Sequence, residues 1–179
     1  VIDVWDPFLR IAHWTLAITV FGAWLTRHSA GRLHEWLGYT ALVILIGRVL
    51  WGGIGPHHAR FSTFVLSAAE TMGYARQVLA REEPRHVGHN PLGAWMIVAL
   101  IIAILLVIAT GWLYTTETYW GVEWVARLHD GLSNFLFLLV ALHIAGVAYS
   151  SLRHRENLVG AMVHGRKRTP AEGDHGQSV

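Results

Sequence analysis

The sequence predicts an all-α membrane protein, a bundle of four transmembrane helices. Three observations carry that reading: an apolar composition, four apolar stretches of spanning length, and the placement of tryptophan and arginine around them. Of 179 residues, 53% are apolar and 15% are charged, and the mean hydropathy is +0.38. A soluble domain carries about 25% charged residues, so lipid is the expected solvent of a chain that length alone makes one domain. The formal charge of +2 gives no strong basic field for nucleic acid. The first residues, VIDVWDP, show no charged segment leading into a cleavage site, so no removable signal peptide is expected.

The four stretches are Phe8–Leu25, Leu37–Trp51, Leu92–Tyr114 and Leu132–Leu152. A bilayer core takes about 20 helical residues. The second stretch reaches that length if its helix begins near His34 and ends near Gly53. The third, AWMIVALIIAILLVIATGWL, holds no charge at all. Trp14, Trp24, Trp36, Trp51, Trp95 and Trp112 fall near span ends, where amphipathic rings sit at headgroup level. With the N-terminus, the loop between spans two and three and the C-terminal tail on one side, that side holds Arg10, Arg48, Arg60, Arg76, Arg81, Arg85, Arg153, Arg155, Arg166, Lys167 and Arg168. The other side holds Arg27, Arg32 and Arg127, which completes the 14 basic residues. The bias puts both termini in the cytoplasm of a bacterial inner membrane protein.

Within the inner loop, Gly53–Pro91, the residues Phe61, Phe64, Val65, Ala68, Met72, Ala75 and Leu79 recur at helical spacing, with Glu70, Arg76 and Glu82 elsewhere. This predicts a cytoplasmic amphipathic helix between the second and third spans, lying on the membrane surface or packed on the protein. Residues 1–168 are expected to form one domain and 169–179 a polar, disordered tail.

Chemistry enters with the 12 histidines. His28, His57, His58, His86, His89, His154, His164 and His175 fall in loops, tails or just outside spans, where a solvated imidazole needs no explanation. His13, His34, His129 and His143 lie within spans or at their first turn, and ionisable groups there are functional candidates. His13 is early in a span that starts inside, whereas His34 and His129 open spans that start outside. His143 is 14 residues beyond His129, about 21 Å deeper at 1.5 Å per residue and within about 40° of the same azimuth. The four therefore form two layers, His13 with His143 and His34 with His129, each offering two imidazoles from different helices. That arrangement clamps a planar haem from both faces. Ala17, Gly38 and Ser133, four residues after a histidine, and Gly146, three after, would leave room for a flat macrocycle, although small residues also pack membrane helices. The absence of cysteine excludes thiolate clusters and covalently attached haem. Zinc would want three or four converging ligands, and a proton path would want acids inside the spans; haem b explains the two pairs better.

The segments VWDPFLRIAHW, LHEWLGY, RVLWGGIGPHHARFSTF, PRHVGHNPLGAWM, LHD with LHIAGV, and SLRHRENLVGAMVHGRKR together resemble the bacterial cytochrome b561 family. That family includes the b-type cytochrome subunits of nickel–iron hydrogenases. The resemblance covers residues 4–168. It implies a dihaem cytochrome with bis-histidine iron, held by His13, His34, His129 and His143 in the pairing above. Haem propionates need cations or donors; Arg10, Arg48 and Arg153 are candidates at the inner haem and Arg32 or Arg127 at the outer one, although topology alone also explains the inner three.

The expected function is electron transfer across the bilayer, between quinone or quinol near the inner haem and a periplasmic redox protein such as a c-type cytochrome or a dehydrogenase or hydrogenase subunit. The sequence leaves two alternatives open. One is a self-contained quinone-linked oxidoreductase acting on a small species such as superoxide. The other is a histidine-lined transporter without cofactor. No nucleophile with an adjacent base, P-loop or dinucleotide motif is visible.

Overall fold

The computed structural model describes residues 1–28, 31–171 and 174. Positions 172, 173 and 175–179 of the expected tail lie outside the described residues, as do Ser29 and Ala30. The helices are α1 (Pro7–Thr26), α2 (Arg32–Ile54), α3 (Phe61–Phe64), α4 (Ala68–Ala80), α5 (Pro91–Tyr114), α6 (Glu123–Arg153) and α7 (Leu158–His164). β1 (Ile2–Asp3) pairs antiparallel with β2 (Arg166–Lys167), Ile2 opposite Lys167.

Among the described residues four helices, α1, α2, α5 and α6, are long and apolar enough to cross a membrane. Two of them begin on one device. Asp6 precedes Pro7 and accepts the Leu9 N–H at 3.0 Å; Asn90 precedes Pro91 and accepts the Gly93 N–H at 2.7 Å. A capping oxygen satisfies an otherwise orphaned donor, and proline is pre-shaped for the first helical position. α6 starts nine residues before the apolar stretch, at Glu123, so His129 lies inside the helix.

The exposed faces are apolar stripes. On α1 they are Ile11, Trp14, Ile18, Phe21 and Leu25, and on α2 Trp36, Tyr39, Val43, Ile46 and Leu50, at alternating intervals of three and four. Such stripes would be intolerable in water but are the natural face toward acyl chains.

The chain divides into two compact units. The first comprises Val1–Arg10, Val49–Ile97 and His143–Val179. Its core is Val4, Trp5, Leu9, Val87 and Ala161. Gly165 ends α7 at φ +87°, and its carbonyl accepts the Val4 and Trp5 N–H groups. A Cβ there would meet Trp5 O at 2.7 Å, so both the turn and the approach require glycine. The surface helix expected between spans two and three is two helices here. α3 ends at Phe64, and α4 starts afresh from Ser67, whose side chain and that of Glu70 form a reciprocal capping box.

The second unit comprises Ile11–Arg48 and Val98–Leu142, segments of all four long helices. Ala12, Ala41, Leu45, Ala103, Val125 and Leu136 are buried in it, half of them alanines that let backbones approach. Trp24 of α1 stacks on Phe137 of α6 with ring centroids 4.8 Å apart.

Candidate functional site

The second unit brings two histidines together. His34, two residues into α2, and His129, in the second turn of α6, have ring centroids 6.1 Å apart at 80°. Each ring is anchored at Nδ1. That nitrogen of His34 lies 2.9 Å from Ala23 O, and that of His129 lies 3.0 Å from Val107 O and 3.2 Å from Thr110 Oγ1. A backbone carbonyl can only accept, so Nδ1 carries the proton in both rings and Nε2 keeps its lone pair. The Thr110 hydroxyl donates to Leu106 O and Val107 O, leaving its oxygen to accept from His129.

His34 and His129 are close enough that they could hold one metal between them. With imidazole–metal bonds of about 2 Å on each side, opposed rings have centroids roughly 6 Å apart. A carbonyl on the distal nitrogen is the usual support of a ligating histidine, fixing tautomer and ring orientation. Among the described residues no group of three or more His, Asp or Glu side chains could hold a metal by itself. Two imidazoles alone would not complete a metal site, so the pair would suit a metal that brings its other ligands with it, as in a tetrapyrrole. Room for a flat ring exists on the same helix face: a Cβ at Gly38, four residues after His34, meets nothing within 4 Å. Gly111 does the opposite. A Cβ there would stand 3.0 Å from His129 Cε1, so α5 presses against this ring.

The other expected ligands are placed as follows. His13 lies half-buried in the second unit and His143 half-buried at the start of the last segment of the first. A Cβ at Gly146 meets nothing within 4 Å, Ala17 is exposed, and Ser133 Oγ donates to His129 O. Of the arginines, Arg48 is buried in α2, while Arg10 donates to Val163 O. Arg153 pairs with Glu83 at 3.1 Å, Arg32 is exposed, and Arg127 makes an exposed one-turn pair with Glu123 at 3.3 Å.

Sequence reasoning missed the supports. Ala23 O and Val107 O are backbone atoms and leave no residue signature. Thr110 left one, as the only hydroxyl between Leu92 and Leu113 in an otherwise apolar span. Also missed was Glu83, whose side chain is 1% exposed and accepts from Tyr149 Oη at 2.9 Å and Arg153 Nε at 3.1 Å. Burial opposes its ionisation, but a backbone N–H, the tyrosine and the arginine outweigh it and hold its pKa below the usual carboxylate value.

A family model described as prokaryotic cytochrome b561 matches residues 4–165. The chain is 25% identical to a probable Ni/Fe-hydrogenase B-type cytochrome subunit of Azotobacter chroococcum mcd 1, covering 90% of this chain and 86% of that protein. It is 23% identical to the protein so named from Azotobacter vinelandii, over the same shares, and 21% identical to that of Bradyrhizobium diazoefficiens, over 92% and 85%. No solved structure matches the chain significantly.

Proposed function

The chain belongs to the prokaryotic cytochrome b561 family of multi-pass membrane cytochromes that transfer electrons on haem b, and on that premise we propose that it carries electrons across the bacterial inner membrane between the quinone pool and a periplasmic redox protein, through two haems. The observation that carries this reading is the His34–His129 pair, 6.1 Å apart with both Nδ1 atoms tied to carbonyls. The second haem takes His13 and His143, and the support is sequence depth: fourteen residues of helix separate His143 from His129, one hydrocarbon half-thickness and more. When bound, haem supplies a one-electron iron couple, tuned by its ligands and burial.

The protein's part is to position and tune. The carbonyl on each Nδ1–H raises the basicity of the imidazole and stops the ring rotating. Arg48, buried in α2, is a candidate cation for an inner propionate, as are Arg10 and Arg153, which contact Val163 O and Glu83. Arg32 and Arg127 are the candidates at the outer face. The charge bias places both termini in the cytoplasm, and α4, with Met72 and Leu79 exposed, lies on the inner membrane surface. Residues 1–168 act as one cytochrome domain. The relatives are named as hydrogenase subunits, and a hydrogenase or similar dehydrogenase subunit, or a c-type cytochrome, is the class of partner that a wire ending at the outer face serves.

The test is a reduced-minus-oxidised absorption spectrum of the purified protein with a haem count. A b-type spectrum and two haems per chain are expected. No b-type signal sinks the haem reading, and one haem per chain sinks the second pair. Gly111→Val is expected to push the His129 ring from its position and broaden or abolish the signal of one haem while leaving the other, because the added Cβ already stands 3.0 Å from Cε1. Electron paramagnetic resonance of the two low-spin ferric signals checks it.

A further inference from the structure

The helix α5 carries no histidine, yet Val107, Thr110 and Gly111 make the seat of the His129 ring. Their spacing of three and four residues puts them on one helix face. Val107 O lies 3.0 Å and Thr110 Oγ1 3.2 Å from the ring's Nδ1. A Cβ at Gly111 would stand 3.0 Å from Cε1 and 3.3 Å from Nδ1, so glycine lets the α5 backbone close against the side of the imidazole. His34 is tied more simply, with Nδ1 on Ala23 O at 2.9 Å. The planes of the two rings stand at 80°, nearly crossed. Thr110 is 8% exposed, and its hydroxyl returns its proton to its own helix, at Leu106 O (2.8 Å) or Val107 O (3.0 Å). Thr19 of α1 makes the same return bonds, to Thr15 O and Leu16 O, and these are ordinary for threonine in a membrane helix. What sets Thr110 apart is that its oxygen also accepts from a ring nitrogen 19 residues away on another helix.

We infer that α5 holds the plane of the His129 ring across that of His34, and that Thr110 is a positioning residue that lowers the reduction potential of a haem held between them; the inference rests on the haem reading of that pair. One acceptor lets a ring pivot about its hydrogen bond. A second acceptor from another direction, with backbone against the ring's side, leaves one orientation. The two oxygens share a single N–H, and each draws its proton and so adds electron density to the imidazole. A more electron-rich ligand favours the oxidised metal, so the hydroxyl favours ferric over ferrous iron beyond what Val107 O does alone. Crossed planes have a separate consequence. The two rings donate π-density to different iron d orbitals, which stay nearly degenerate in the ferric state, and the g values become strongly anisotropic.

Two measurements on the purified, haem-loaded full chain test this. Electron paramagnetic resonance of the oxidised wild type is expected to show a strongly anisotropic low-spin ferric signal that His34→Ala removes. Thr110→Val keeps the shape of threonine without the hydroxyl. Redox titration of that variant is expected to show unchanged haem content and one midpoint potential moved positive by about 59 mV, the one-electron equivalent of a tenfold change in the ferric-to-ferrous ratio. The largest g value of the anisotropic signal should change with it. Thr110→Ser, which keeps the hydroxyl, should restore both. Loss of one haem from Thr110→Val but not from Thr110→Ser would equally assign the hydroxyl to holding the ring. The inference is overturned if no wild-type signal is strongly anisotropic, if Thr110→Val titrates as the wild type does, or if Thr110→Ser shifts or loses haem as Thr110→Val does. A wild type without a b-type spectrum overturns the haem reading itself, and the inference with it.

Discussion

His34→Ala is expected to abolish one haem and spare the other, with the b-type absorbance falling by about half. The substitution removes the whole imidazole. The partner ring, His129, stays fixed by Val107 O and Thr110, so a haem there would be held by one histidine. A five-coordinate haem held by one histidine shifts to high spin and dissociates more readily, and exogenous imidazole is expected to restore the low-spin spectrum. His129→Ala gives the same loss. His143→Ala and His13→Ala are expected to remove the other haem instead. Loss of neither haem in His34→Ala, or of both in all four variants, refutes the pairing. Because haem binds the folded protein and not the unfolded chain, each variant also melts earlier than the wild type, by an amount set by haem affinity.

How much of this was readable beforehand follows from which physics leaves a mark in sequence. Spanning helices are written in hydropathy, and all four stand where the apolar stretches put them. Their ends are less legible. By hydropathy span four starts at Leu132, because residues 123–131 are too polar, yet the helix continues through them to Glu123. The break between α3 and α4 had a sign, Ser67 with Glu70 three residues on, that apolar spacing alone overrides. Counting along helices gives the four histidines their expected depths, and the structure adds the contact of His34 with His129. What anchors those rings is main-chain carbonyl, common to every residue and therefore invisible. Contacts made across long separations were equally hidden. Arg85 counted only toward topology, although its partners are 71 and 89 residues away.

That arginine should dominate the stability of the first unit. Its side chain is 4% exposed and grips Glu156 with both arms of the fork, Nη2 at 2.7 Å and Nε at 3.2 Å. It also pairs with Asp174 and donates to Arg168 O at 2.9 Å, tying the end of the chain to the segment after α4. Arg85→Ala leaves two carboxylates behind, one of them in a side chain only 9% exposed. Removing one partner of a buried pair costs about 3–5 kcal/mol. The lower end applies here, because each carboxylate keeps a backbone donor, the Arg168 N–H on Glu156 and the Ala171 N–H on Asp174. Arg85→Lys keeps the charge but loses the fork, and should recover part of the loss. The pH dependence separates this from a packing defect. Burial opposes ionisation of Glu156 and Asp174, but Arg85 and backbone N–H groups outweigh it and hold both pKa values below the usual carboxylate range. In the wild type the pair's stabilisation is therefore complete at neutral pH and is lost only as pH falls below about 4. In Arg85→Ala burial acts unopposed by the arginine, the carboxylates resist ionisation, and protonating them relieves the defect. The difference in melting temperature between wild type and variant should thus be largest at neutral pH and shrink on acidification. A difference that holds constant from pH 8 to pH 4 would show that the loss is one of packing and not of charge.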